Sequence, residues 1–89
     1  MIVEKLIIKN KTGLHARPAT LFVETAKKFK SKIWVEKNGK KVDGKSLIGV
    51  LSLGVEQGHE ITIHIEGPDE KEAFEEIKEM VDSGLGEEG

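Results

Sequence analysis

Residues 60–66, Glu-Ile-Thr-Ile-His-Ile-Glu, alternate strictly between apolar and polar side chains. Successive side chains of a β-strand point to opposite faces, so Ile61, Ile63 and Ile65 share one face while Thr62, His64 and Glu66 share the other. A strand written this way fits a sheet with one dry face and one wet face. Residues 2–9 follow the same rule, with Leu6 and Ile8 opposed to Lys5 and Lys9. So do residues 32–37, where Ile33 and Val35 share a face. Asn38-Gly39 is a strong hairpin turn and predicts a short return strand over 40–43. Trp34 alternates with Lys32 and Glu36, which places a partly exposed indole on the wet face. It is expected to pack on Ile7 in a cross-strand cluster, in preference to a weak dimer contact.

The dry face needs a cover, and three segments supply it. Ala19, Phe22, Val23, Ala26 and Phe29 recur at helical spacing and predict a helix over about 16–29. Arg17, Leu21, Glu24 and Lys28 lie opposite that stripe, and Pro18 suits a first turn, where a missing N–H costs little. Ser46 reads as the N-cap of a short helix over about 47–52 that stops near Gly54. Gly67-Pro68 breaks the chain, and Asp69 is placed to cap a last helix with Glu72 as its capping-box partner. Ala73, Ile77, Met80 and Val81 form the core stripe of that helix and Gly84 ends it. The tail from about residue 85 to 89 is expected to fray. The order β-α-β-β-α-β-α predicts an α+β open-faced β-sandwich, with a four-stranded antiparallel sheet and three helices on one face.

Eighty-nine residues make a single domain, spanning residues 1–89. A chain of this length buries only about 60% of its unfolded surface, which leaves little room for a deep cleft and favours a surface site offered to larger partners. Cysteine is absent, which excludes a disulfide framework and a thiolate metal site. No apolar run reaches membrane-spanning length and the N-terminal residues lack a signal-peptide pattern, so a cytoplasmic location is expected. The net charge of −2 gives no push toward nucleic acid. The lysines at 27, 28, 30 and 32 read as a solvated helix end, favourable near its negative dipole. Charged residues reach 34%, which suits an ion-paired, heat-adapted surface or simply a well-solvated small domain.

Residues 13–20, Gly-Leu-His-Ala-Arg-Pro-Ala-Thr, place His15 at the first turn of the first predicted helix. A helix N-terminus offers unpaired N–H groups and the positive end of a dipole, and a neutral imidazole is a good nucleophile. Phosphoryl transfer needs an in-line nucleophile and fixed positive charge around the moving group. His15 can supply the first. Arg17 can supply a bidentate guanidinium, and the N–H groups of Ala16 and Arg17 further donors. Gly13 lets the preceding loop turn tightly. A histidine near a helix start also serves as a plain cap or surface residue, and the chemistry by itself leaves both readings open.

The octapeptide resembles the active-site signature of HPr, the histidine-containing phosphocarrier family of the bacterial sugar phosphotransferase system. Asn38-Gly39-Lys40, Lys45-Ser46-Leu47-Ile48-Gly49-Val50-Leu51-Ser52-Leu53-Gly54 and Gly58-His59-Glu60-Ile61-Thr62-Ile63 are similar to the matching family segments. The resemblance implies that His15 takes a phosphoryl group on Nδ1 from phosphorylated enzyme I and passes it to enzyme IIA components of sugar permeases, with Arg17 stabilising the group. Such a protein is a stoichiometric carrier, not an enzyme. In Gram-positive members the serine matched by Ser46 is phosphorylated by HPr kinase/phosphorylase, and that form serves as corepressor for a catabolite-control transcription factor. Without the resemblance, Ser46 is simply an N-cap.

Leu47, Ile48 and Leu51 sit on a helix that is apolar almost all round. Burial of most of them is one outcome, and the resemblance favours a docking patch shared with Thr20, Leu21 and Lys27. Glu24 is acidic where some members are basic, which argues against a contribution to an acidic enzyme I surface. The chain is expected to be a monomer without cofactor or metal: His15, His59 and His64 lie on different elements with no supporting ligand pattern. His64 is expected on the wet face beside Lys32, Trp34 or Lys5. The rival function is a regulatory adaptor acting mainly through phosphorylated Ser46. A nitrogen-regulation branch of the same relay is a third.

Overall fold

The structure, a computed structural model, describes residues 1–87. Its elements are β1 (Ile2–Ile7), α1 (Ala16–Lys27), β2 (Lys32–Lys37), β3 (Lys40–Asp43), α2 (Leu47–Leu51), β4 (Glu60–Glu66) and α3 (Glu70–Asp82). The four strands form one antiparallel sheet in the order β1-β4-β2-β3, so the most alternating strand, β4, is central. Ile61, Ile63 and Ile65 are fully buried beneath the helices, together with Phe22, Val23, Ala73, Ile77 and Val81. Burial of one such side chain contributes about 1.5–3 kcal/mol.

Register decides what meets what on the wet face. Val3, His64, Trp34 and Asp43 form one cross-strand row, and Lys5, Thr62, Glu36 and Lys41 the next. Trp34 is half-buried, as alternation predicts. In that row His64 stands between Trp34 and Val3, whereas Ile7 lies opposite Glu60, so the register does not place Trp34 in a row with Ile7 as expected. Lys41 Nζ stands 4.9 Å from the Trp34 ring centroid, and His64 Nε2 is 2.8 Å from Glu36 Oε1. Of its expected neighbours, His64 stands directly opposite Trp34, while Lys32 and Lys5 face Glu66 and Thr62.

Element ends differ from the sequence reading in three places. Helix α1 stops at Lys27, because the Lys28 and Phe29 N–H groups turn to Thr25 O and Ala26 O and tighten the last turn. Strand β1 stops at Ile7, but Ile8 stays fully buried and exchanges backbone hydrogen bonds with Gly58 and His59. The chain from residue 84 to 87 folds back on the end of α3. Leu85 N–H reaches Met80 O and Gly84 N–H reaches Val81 O, a Schellman closure with Gly84 at φ +93°. Leu85 is then buried. Residues 88–89 lie outside the described residues.

Asp69 is the N-cap of α3 as expected, with its backbone C=O accepting from Ala73 N–H at 3.0 Å, but its side chain makes no cap hydrogen bond and Glu72 forms no capping box. The Asp69 carboxylate turns away and accepts from Lys30 N–H at 2.8 Å, Ser31 N–H at 2.9 Å and the Ser31 hydroxyl at 2.5 Å. Three donors in the loop before β2 outcompete one helix N–H. The Ser31 hydroxyl first, then the Lys30 N–H, hold the Asp69 carboxyl below its ordinary 3.8, at about 2. A depressed folded-state pKa adds stability that is present above pH 3.8 and lost as pH falls toward 2. Asp69→Asn is therefore expected to be less stable than wild type at neutral pH. The gap between the two unfolding midpoints should close as urea titrations are run from pH 4 down to pH 2. A gap that stays constant would refute this role.

Candidate functional site

Helix α1 starts where the chain leaves the loop after β1, and His15 is its N-cap in extended conformation (φ −94°, ψ −173°). The backbone does the capping: His15 C=O accepts from Ala19 N–H at 2.8 Å, while the imidazole makes no cap hydrogen bond. The ring is exposed, and among the described residues no hydrogen bond engages either ring nitrogen. The N–H groups of Ala16 and Arg17 have no acceptor among the described residues, and Pro18 contributes none. A nucleophilic ring, two free donors and a helix dipole thus meet at one exposed point.

Gly13 makes this geometry possible. It has φ +67°, and a Cβ there would lie 2.3 Å from Val55 O and 2.6 Å from Glu56 Cα. The loop before α1 is pressed backbone to backbone on the loop before β4, and Leu14 N–H donates to Val55 O at 2.9 Å. His15 consequently shares an open hollow with Lys11, Thr12, Glu56 and Gln57. Sequence reasoning missed these four. The signal for Lys11 and Thr12 was proximity to the motif, whereas Glu56 and Gln57 arrive only through the loop contact at Gly13.

Arg17 is exposed and lines a different hollow, with Thr20, Leu21, Glu24, Leu85 and Gly86. Residues two apart at a helix start diverge around the axis, so Arg17 does not share the hollow of His15 in this structure. Thr20 and Leu21 border the hollow of Arg17, with the Thr20 hydroxyl donating to Ala16 O at 2.7 Å. Lys27 lies at the other end of α1, about 18 Å along the axis from His15 at 1.5 Å per residue.

Ser46 is a true N-cap: its Oγ accepts from Gly49 N–H at 3.1 Å and its C=O from Val50 N–H at 2.9 Å. Helix α2 packs against α1 and β3 and buries Val50. Ile48 is left 82% exposed and Leu47 and Leu51 remain exposed, an apolar patch on the surface. Two hairpin lysines hold the far end of α2. Lys40 Nζ donates to Ser52 O at 3.3 Å, and Lys37 Nζ to Gly54 O at 3.0 Å. His59 has a local job, its Nδ1 accepting from Glu56 N–H at 3.0 Å.

An open-faced βαββαβα sandwich, with a four-stranded antiparallel sheet and three helices, is the architecture of HPr proteins. The chain belongs to the PTS HPr family: the family model described as "PTS HPr component phosphorylation site" matches residues 2–83. It is 47% identical over 81 residues to the HPr-like protein Crh of Bacillus subtilis, covering 91% of this chain and 95% of that protein. It is 49% identical over 77 residues to Crh of Halalkalibacterium halodurans, covering 86% and 92%. Among solved structures, HPr-C-His from Thermoanaerobacter tengcongensis superposes with a TM-score of 0.96 at 54% identity over 100% of both chains. An HPr dimer from the same organism is similar at TM-score 0.79 and 56% identity, covering 92% and 94%.

Proposed function

We propose that this chain is a phosphocarrier in the phosphotransferase relay, with His15 as the phosphoacceptor. The observation that carries the reading is the exposed imidazole at the start of α1, which has no hydrogen bond among the described residues and stands beside two N–H groups with no acceptor among them. Nδ1 attacks the phosphorus of phosphorylated enzyme I. The new P–N bond forms as the bond to the donor breaks, and the donor leaves with that electron pair. The reverse exchange delivers the group to an enzyme IIA acceptor and regenerates the neutral ring. The Ala16 and Arg17 N–H groups offset the charge of the moving group, and the Arg17 guanidinium adds to this by swinging from the neighbouring hollow toward the ring. Leu47, Ile48 and Leu51, with Thr20 and Leu21, form the docking surface, and Lys27 adds charge at its edge. The protein is consumed and regenerated in each cycle and needs no cofactor, and it is proposed to work as a cytoplasmic monomer, whereas similar HPr and Crh chains are described as dimers. Incubation with enzyme I and labelled phosphoenolpyruvate should give one acid-labile label per chain, and an unlabelled chain would sink the proposal.

A second reading rests on Ser46 and on the likeness to Crh, described in one solved structure as "catabolite repression HPr". In this reading HPr kinase/phosphorylase modifies Ser46, and the product signals to a catabolite-control transcription factor. The cap position tolerates the modification, because a phosphoserine of about −2 charge is favoured by the dipole of α2. The same charge beside Leu47 and Ile48 opposes an acidic partner. Ser46→Asp should therefore label at His15 several-fold more slowly than wild type. Ser46→Ala should label normally while losing about 1 kcal/mol of stability with its cap. Equal labelling rates for Ser46→Asp and wild type would count against control of transfer through this serine.

A further inference from the structure

The last described residues return to the loop that leads into His15. After the Schellman turn, Leu85 is buried and Glu87 N–H donates to Gly84 O at 3.0 Å, which turns the Glu87 side chain toward residues 10–12. Its carboxylate accepts from Asn10 Nδ2 at 2.8 Å, Thr12 N–H at 3.2 Å and the Thr12 hydroxyl at 2.9 Å. Asn10 is buried, and the same Nδ2 donates to Gly13 O at 2.7 Å. One amide nitrogen thus joins Glu87 to the glycine that seats the loop on Val55 and Glu56. The Asn10 amide, ahead of the Thr12 N–H, holds the Glu87 carboxyl below its ordinary range, as expected for an anion that accepts several bonds.

We infer that Glu87 is a positioning residue for phosphoryl transfer, clamping the 10–13 loop so that His15 and the free N–H groups behind it keep a single arrangement. This rests on the reading of His15 as phosphoacceptor. The physical basis is simple. Thr12 N–H and Oγ find their acceptor on a residue 75 positions away in the chain, while the nearby Asn10 Oδ1 has no partner among the described residues. With that acceptor removed, Thr12 and Asn10 bond to water in several geometries, and Gly13 loses the restraint that Asn10 passes on. His15 then samples orientations that do not lie in line with a donor phosphorus. Misplacement by 1 Å can cost ~100-fold in rate, and a loosened loop costs a part of that. Leu85 and the Schellman turn stay intact without Glu87, so the fold does not depend on the clamp.

The test uses the full chain with Glu87→Ala and Glu87→Gln. Steady-state labelling by enzyme I and phosphoenolpyruvate should show kcat reduced roughly ten-fold for Glu87→Ala, with KM moved far less, because Glu87 only borders the hollow of Thr20 and Leu21 and Leu47, Ile48 and Leu51 are untouched. Glu87→Gln retains one acceptor oxygen and should lose only about three-fold. Amide resonances of Thr12, Gly13 and His15 should shift and broaden in Glu87→Ala while those of α2 and β4 stay in place. If Glu87→Ala fails to fold, Glu87→Gln decides, through the same resonances and rate. Wild-type kcat and loop resonances in both variants, with normal labelling of the wild type, would overturn this inference alone. A wild type that takes no label on His15 would overturn the phosphoacceptor reading, and this inference with it.

Discussion

Gly13→Ala is expected to cost about 3 kcal/mol and to lower the thermal midpoint by about 12–24 °C, at 4–8 °C per kcal/mol for a domain of this size. Two effects add. An L residue at φ +67° is strained by about 1–2 kcal/mol. The added methyl would also stand 2.3 Å from Val55 O, a backbone atom that cannot swing aside, so the two loops must part. Parting breaks the 2.9 Å hydrogen bond from Leu14 N–H to Val55 O, worth about 1 kcal/mol. Gly39→Ala is the control: its φ is +83°, but nothing lies within 4 Å of the new methyl, so only the strain remains. Calorimetry of the two variants separates clash from strain, and equal losses would show that the Gly13 contact is not what the glycine serves. Gly13→Ala should also slow phosphoryl acceptance, since the displaced loop carries Lys11, Thr12 and His15.

His15→Ala is expected to abolish labelling from phosphoenolpyruvate, a loss of at least ~10⁴-fold, because the nucleophile itself is gone. Stability should hardly move. The side chain is exposed and makes no cap hydrogen bond, and the capping interaction from Ala19 N–H goes to the backbone C=O, which alanine keeps. A change within about 0.5 kcal/mol is the expectation for such a surface site. The same variant should still accept phosphate on Ser46 from HPr kinase/phosphorylase, since α2 and its cap are unaltered. Equal labelling of His15→Ala and wild type would place the phosphoacceptor elsewhere. Loss of both labels together would point to a misfolded protein and call for circular dichroism before any conclusion about chemistry.

Local pattern was enough for much of this protein. Ile61, Ile63 and Ile65 against Thr62, His64 and Glu66 announced a sheet with one wet face, and the register places them so. Asn38-Gly39 marked the hairpin, and Ser46 marked the start of α2, because turn chemistry and capping act within three or four residues. His15 was legible as the start of α1 for the same reason: Pro18 and the apolar stripe beginning at Ala19 bracket it.

What local pattern left open was every choice among competing partners far apart in the chain. The Asp69 carboxylate had a helix to cap and instead serves the Lys30 and Ser31 donors, which only the packing of α3 beside the loop before β2 brings near. Trp34 meets the row of Val3 rather than Ile7, because a strand's side is written in its sequence but its register is not. Arg17 was drawn to the same centre as His15 on sequence proximity, and the divergence of side chains around α1 sends it to another hollow. Sequence by itself determined which residues face the core and where the helices begin, because periodicity and capping are short-range. Tertiary structure alone decided that Glu56 and Gln57 border His15 and that Glu87 bonds to Asn10 and Thr12, because those contacts arise where parts of the chain far apart in sequence meet.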